Sequence, residues 1–127
     1  MTIRALILIV LVLLFHWIVD FCMQSDSTAK NKSHDYTVLF GHSLSYAALI
    51  TSAIILSVQS LTPIQAMYVL ILLLISHFAI DGISSRISRI FFLENDMHSF
   101  FVTIGFDQFL HTAILVFILY SFLKDKV

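Results

Sequence analysis

Charged residues are scarce in this sequence, and it has a single cysteine. Only 12% of its 127 residues are charged, whereas 59% are hydrophobic. Soluble domains are about a quarter charged and about half apolar, so the composition indicates an integral membrane protein. Because Cys22 is alone, an intramolecular disulfide and a cysteine-based zinc motif are both excluded. We interpret Cys22 as a packed or membrane-facing residue.

An excess of positive charge and internal repetition are also missing. The formal net charge is −1, and no stripe of lysine or arginine follows the chain. Nucleic-acid binding is therefore not expected. No inverted duplication is evident, which weighs against a secondary transporter. We expect membrane lipids as partners, and a homo-oligomer or a membrane-protein partner stays open.

The first apolar run lacks the small residues of a signal-peptide cleavage site. It continues past Phe15 to Met23 and includes His16 and Asp20. We therefore expect this run to be retained as a membrane span.

Four apolar runs are long enough to cross a bilayer, since about 20 helical residues span the hydrocarbon layer. The predicted spans are residues 3–23, 38–58, 64–84 and 100–123. A short link joins spans two and three, which makes them antiparallel neighbours, and Pro63 suits the first turn of the third helix. The predicted fold is all-α: one membrane domain, a polytopic four-helix bundle.

Polar segments follow the first and third spans. Residues 24–36 are too polar for hydrocarbon, and Ser25 or Asp26 is suited to cap a short interfacial helix there. Arg86 and Arg89 lie among apolar residues, which is typical of an interfacial amphipathic segment.

Histidine and aspartate recur inside the apolar runs at a spacing of four residues. This spacing puts both members of a pair on one helix face, about 6 Å apart along the axis. The residues are His16 and Asp20, His77 and Asp81, Asp107 and His111, with His42 near the start of span two. Span four runs opposite to spans one and three, so its reversed order again places the histidine deeper than the aspartate. Intramembrane ionisable groups usually face a bundle interior and a partner, so we predict one shared site in one half of the membrane.

Imidazole and carboxylate groups together predict a divalent-metal site, with zinc favoured and manganese or ferrous iron also suited. The candidate ligands are His16, Asp20, His42, His77, Asp81, Asp107 and His111. Seven groups exceed what one zinc ion needs, so either two ions share the site or some aspartates orient histidines. Asp20, Asp81 and Asp107 are also the candidate catalytic residues, because a carboxylate can act as a general base.

The membrane edge beside these motifs carries candidate substrate-binding residues. Lys30 and Arg86 are placed to hold an anionic lipid headgroup, and Gln24 and Gln108 adjoin the histidine and aspartate motifs. A metal ion near such a headgroup would polarise a phosphoryl or carbonyl oxygen. The expected activity is metal-dependent hydrolysis of a lipid-linked or phosphate-bearing substrate.

Other functions fit the same residues. Histidine and aspartate chains inside membranes also serve as proton or ion pathways. Axial haem ligation suits the pattern less well, because an aspartate lies one turn from each histidine. A polar cluster can also hold together a bundle that only binds a partner.

Positive charge is distributed almost equally between the two sides of the membrane, so it gives only a weak preference for one orientation of the protein. The two connections on the side of the site carry Lys30, Lys32, Arg86 and Arg89, and the opposite side carries Arg4, Lys124 and Lys126. Because its basic connections are compact, we expect the site to face the cytoplasm from a bacterial inner membrane.

The motifs also resemble a known family, domain of unknown function 3307. The matching stretches are His16-Trp17-Ile18-Val19-Asp20-Phe21, Gln24-Ser25-Asp26, Ala29-Lys30-Asn31-Lys32, Gly41-His42, Tyr46, His77-Phe78-Ala79-Ile80-Asp81 and Asp107-Gln108-Phe109-Leu110-His111. The resemblance covers nearly the whole chain. It implies a small bacterial or phage membrane protein with four spans and the same seven candidate ligands, and it supplies no substrate.

Overall fold

The computed structural model describes residues 2–58 and 61–123, and this part of the chain is helical with no strand. The helices are α1 (Ile3–Trp17), α2 (Asp26–Asn31), α3 (Tyr36–Ser57), α4 (Pro63–Leu93) and α5 (Met97–Leu123), and a π-helical turn (Ile18–Cys22) continues α1. Four of these segments are long and apolar enough to cross a membrane: α1 with its π-helical turn, α3, α4 and α5. The predicted all-α, four-span fold is confirmed.

Polar residues fix where the helices begin. The Ser25 hydroxyl caps α2, and the Asp35 carboxylate caps α3 by accepting backbone N–H bonds. At α4, Thr62 and Gln65 form a reciprocal capping box, and Pro63 occupies the first turn, as predicted. These caps satisfy backbone donors that the helix itself leaves free.

The last part of α4 differs from the sequence expectation. The segment around Arg86 and Arg89 was expected to be an interfacial piece after a span ending at residue 84, but it is continuous with α4, which ends at Leu93. The turn into α5 passes through Asn95 at a φ of 59°, a region that asparagine tolerates better than most residues. Asp96 then accepts the Ser99 N–H at 3.0 Å, and hydrogen bonds from Ser99 lower the pKa of the Asp96 carboxyl.

The bundle interior is divided along its axis. One half is an apolar core, with buried residues that include Ala5, Ile9, Val12, Ile50, Ile54, Val69, Leu73, Leu115 and Leu119. The other half buries polar and charged side chains: His16, Asp20, Ser43, His77, Asp81, Asp107 and His111. Helix α4 packs on both α3 and α5. At Gly82 a Cβ atom would lie 3.3 Å from Leu39 Cδ2 of α3, so the glycine permits close packing beside Asp81.

Apolar side chains also cover the outside of the bundle. Leu56, Ile64 and Phe109 are examples of large apolar residues that are exposed. A helix that is apolar on all faces is buried in a protein or a membrane, so the outer surface supports a membrane protein. Lys124 and Lys126, which entered the predicted charge balance, lie outside the described residues.

Candidate metal centre

The π-helical turn places the first carboxylate of the site. Asp20 lies within this turn, and His16 lies in the last turn of α1. Single π-helical turns widen a helix and are frequent at functional sites. Both side chains are buried, and Gln108 contacts both of them, with its Oε1 near His16 and its Nε2 donating to Asp20.

Four donor atoms converge between α3, α4 and the π-helical turn. They belong to Asp20, His42, His77 and Asp81, and all lie within 4.8 Å of one another. Nε2 of His42 is 3.2 Å from Oδ1 of Asp20 and 3.4 Å from Oδ2 of Asp81. Nε2 of His77 is 3.5 Å from each of these oxygens and 3.1 Å from Nε2 of His42. The arrangement is a small cage of two nitrogens and two oxygens.

The size of this cage fits a tetrahedral ion. With metal–ligand bonds of about 2.0–2.1 Å, neighbouring ligands of a tetrahedral zinc ion are about 3.4 Å apart. The one nitrogen–nitrogen and four nitrogen–oxygen distances among the atoms of His42, His77, Asp20 and Asp81 run from 3.1 to 3.5 Å. A single hydrogen bond does not account for all of them, because Nε2 of a neutral imidazole holds one proton or one lone pair. Nε2 of His42 lies 3.1–3.4 Å from Nε2 of His77, Oδ1 of Asp20 and Oδ2 of Asp81. A cation among the four atoms would satisfy all of them.

A second group of donor atoms adjoins the first. It consists of Asp20, Asp107 and His111, with one atom from each within 4.8 Å of the others. Nε2 of His111 lies 3.2 Å from Oδ1 of Asp81 and 3.7 Å from Oδ1 of Asp107. Asp81 therefore presents Oδ2 to the cage and Oδ1 to His111, and Asp20 belongs to both groups. Carboxylates in such positions can bridge two neighbouring ions.

Gln108 orients two of the carboxylates. Its Nε2 donates to Oδ2 of Asp20 at 2.9 Å and to Oδ2 of Asp107 at 2.8 Å, which uses both of its protons. Its Oε1 lies 3.2 Å from Nε2 of His16. If the amide of Gln108 were flipped, its oxygen would lie against two carboxylate oxygens, which is unfavourable. The hydrogen-bond network therefore assigns the orientation in which Nε2 donates to both carboxylates. Gln108 thus holds both carboxylates in place.

The same network determines the role of His16. Because Gln108 Oε1 only accepts, Nε2 of His16 carries the proton, and Nδ1 accepts from the Tyr46 hydroxyl at 2.9 Å. Both ring nitrogens are then occupied by hydrogen bonds. The structure places His16 beside the two groups of donor atoms but in neither of them.

Tyr46 and Lys32 join the cluster although neither was among the candidate site residues. The Tyr46 ring stacks on the His77 ring, with centroids 3.8 Å apart and planes 18° apart. Tyr46 follows His42 by four residues, so the spacing that identified the other pairs could have found it. Nζ of Lys32 lies 2.7 Å from Oδ2 of Asp81. The four-residue spacing does not identify Lys32, because Lys32 lies in the connection that follows α2.

The buried carboxylates make the cluster negative when its histidines are neutral. Asp20, Asp81 and Asp107 are buried, and Lys32 is paired with Asp81. With neutral histidines, three carboxylates and one ammonium leave a net charge of −2. Buried charges need compensation, and a divalent ion would supply it.

A cavity of about 430 Å³ adjoins the cluster on the side of α2. It is lined by Asp20, Phe21, Gln24, Ala29, Lys30, Lys32, Ser33, Ser84, Ser85, Ser88, Arg89, Phe92, Leu93, Phe100, Ile104, Asp107 and Gln108. Of the candidate substrate-binding residues, Gln24, Lys30 and Gln108 lie on its wall. Arg86 does not: its guanidinium donates to the Gly82 carbonyl and lies 4.6 Å over the Tyr36 ring. Arg89 lines the cavity instead.

Comparison with known proteins identifies one family. The family model described as "Protein of unknown function (DUF3307)" matches residues 7–126. The matched range includes every residue of the two donor groups. No curated protein and no solved structure matches the chain.

Proposed function

The chain belongs to the DUF3307 family, and we propose that it is a membrane enzyme that uses a divalent metal ion to hydrolyse a lipid-linked or phosphate-bearing substrate. One observation carries the proposal. Four donor atoms within 4.8 Å of one another adjoin a cavity lined by basic and serine side chains. A metal beside a cavity with basic side chains is an arrangement that supports phosphate ester hydrolysis.

The residues divide into two roles in this proposal. Asp20, His42, His77 and Asp81 hold the ion; zinc suits them best, with manganese or iron as alternatives. When bound, the ion would polarise a phosphoryl oxygen and favour deprotonation of water. Asp107 accepts hydrogen bonds from Gln108 and Ser84 and borders the cavity. It is the candidate general base, able to take the proton of an attacking water.

The apolar half of the bundle favours this function over a transmembrane proton or ion pathway. Among the described residues, the buried side chains beyond Tyr46 on that side are apolar except for Thr51. A pathway through one chain would need polar groups or water across that half. The cluster, by contrast, borders a cavity on one side, as a site that admits a substrate must. We place this side at the cytoplasmic face of a bacterial inner membrane.

Phosphate release tests the proposal. Purified protein in detergent is given phosphatidic acid or a polyprenyl pyrophosphate, with zinc, manganese or excess chelator. We expect release in the presence of metal, its loss with chelator, and a loss of at least about 100-fold in His77→Ala. His34→Ala is the matched control, because His34 is exposed and lies in a connection. Turnover that survives both chelator and His77→Ala would refute the metal-dependent mechanism.

A further inference from the structure

We propose that the cavity between α2, α4 and α5 binds the phosphate headgroup of an anionic lipid whose chain extends from the cavity into the bilayer. This is the cavity of about 430 Å³ that adjoins the cluster of histidines and aspartates on the side of α2. Calling this lipid the substrate rests on the proposed function. Its binding is a separate property that requires no catalysis.

Two basic side chains make the cavity attractive to a phosphate. Lys30 comes from α2 and Arg89 from α4, so they approach from different elements. Within residues 2–58 and 61–123, neither forms an ion pair, whereas Lys32 is engaged with Asp81. Arginine and lysine bind phosphate through charge-assisted hydrogen bonds. Lys30 and Arg89 are therefore available for an anion.

Polar groups on the wall of the same cavity are suited to the same ligand. Ser84, Ser85 and Ser88 line the α4 wall. The Ser84 hydroxyl donates to Asp107 and the Ser88 hydroxyl to the Ser85 carbonyl, so Ser85 is the serine whose proton is available. The Oγ atom of Ser85 and the Oε1 atom of Gln24 are buried and have no hydrogen-bond partner in the described part of the chain. Buried polar atoms are rarely left unpaired. A phosphate oxygen would accept from Ser85, and a hydroxyl of a glycerol-type headgroup would donate to Gln24.

The rest of the wall indicates a lipid in preference to a soluble phosphate. Phe92, Leu93, Phe100 and Ile104 line it from α4 and α5. Phe92 and Leu93 are 58% and 70% exposed, so they continue the wall onto the outer surface of the bundle. Apolar surface at this position suits a hydrocarbon chain. The cluster carboxylates Asp20 and Asp107 also line the cavity, where they repel an anion and favour its position near Lys30 and Arg89.

The test measures binding to the full chain in nonionic detergent with excess chelator, so that neither metal binding nor turnover enters the result. Three probes are compared: lysophosphatidic acid, inorganic phosphate, and a monoacylglycerol of the same chain length. We expect lysophosphatidic acid to bind most tightly. Arg89→Gln and Lys30→Gln should each weaken it about tenfold, the loss of one charge-assisted hydrogen bond. Arg86→Gln is the matched control, one turn away on the same helix but outside the cavity, and should change the affinity less than about twofold.

Each alternative result contradicts a stated part of the inference. Equal weakening by Arg86→Gln and Arg89→Gln would show attraction to the basic surface and no cavity site. Inorganic phosphate that binds as tightly as the lysolipid would overturn the lipid assignment, and a monoacylglycerol that does so would overturn the phosphate assignment. Because chelator is present throughout, absence of hydrolysis would leave these results unchanged. The lipid site and the proposed activity can therefore fail separately.

Discussion

The Lys32 ammonium lies 2.7 Å from Oδ2 of Asp81, the carboxylate oxygen that also faces Nε2 of His42 and Nε2 of His77. The chain thus brings a cation of its own to the edge of the cage, on a side chain from the connection between α2 and α3. This ammonium shares an oxygen atom with the proposed metal ion. It offsets one carboxylate and also repels a second cation nearby.

Removing the Lys32 charge should strengthen metal binding. In Lys32→Met, the repulsion between the ammonium and the ion disappears, and we expect zinc affinity to rise about tenfold. Competition with a chromogenic chelator measures it. Lys30→Met is the control, since Lys30 lies two residues away and lines the same cavity, whereas Lys32 is the residue paired with Asp81. A weaker affinity in Lys32→Met would mean that Lys32 chiefly holds Asp81 in its ligating position.

The same substitution should have the opposite effect on the metal-free protein. Without metal, Lys32→Met leaves Asp81 buried without its cation, and breaking a buried pair is destabilising by about 3–5 kcal/mol. Because Lys32 is partly exposed, we expect less than this, seen as a lower midpoint of thermal unfolding in chelator. Added zinc should restore the midpoint. A midpoint unchanged in chelator would contradict the role of Lys32 as a counter-charge.

Loss of the Gln108 amide should weaken the site without removing a ligand. Gln108→Leu abolishes the bonds that orient Asp20 and Asp107. Groups that orient metal ligands typically contribute about 10- to 100-fold in affinity or activity, and we expect a loss in this range. Phe109→Leu changes the neighbouring exposed side chain and serves as the control. Unaltered zinc affinity in Gln108→Leu would show that the carboxylates need no such support.

Tyr46 contributes through both its ring and its hydroxyl. Tyr46→Phe keeps the stack on His77 but removes the bond to His16, at a cost of about 1 kcal/mol in unfolding free energy. Tyr46→Ala removes a fully buried ring, and such cavities cost about 3–5 kcal/mol. Denaturant unfolding in mixed micelles compares the two variants. We expect Tyr46→Phe to keep its metal, so complete loss of metal in that variant would mean that the hydroxyl does more than bind His16.

The helices and the convergence of the cluster could be predicted because they follow from local patterns. Long apolar runs define spans, and spacings of four residues put His77 with Asp81 and Asp107 with His111 on common faces. Alternating span directions then bring these faces to one depth. This logic needs only helical geometry, and the structure has that geometry through α4 and α5.

The remaining features depend on tertiary structure. The π-helical turn rotates Asp20 away from the direction that an α-helix would give it. No residue type in that stretch predicts a π-helical turn. Lys32 and Arg86 have long side chains whose reach exceeds one helical turn, so sequence position does not fix their partners. Lys32 reaches Asp81 from a connection, while Arg86 turns to Tyr36 and leaves the cavity to Arg89.

Metal content tests the central claim most directly. Wild-type protein purified in detergent is compared with the double variant His42→Ala/His77→Ala by elemental analysis, after zinc, manganese or iron is added and excess removed. The matched control is His34→Ala/His98→Ala, which removes two exposed histidines. We predict one or two equivalents of metal in the wild type and the control, and about a tenth of that or less in the double variant. Equal metal content in all three proteins, or none in the wild type after metal is supplied, would contradict a metal centre built from these residues.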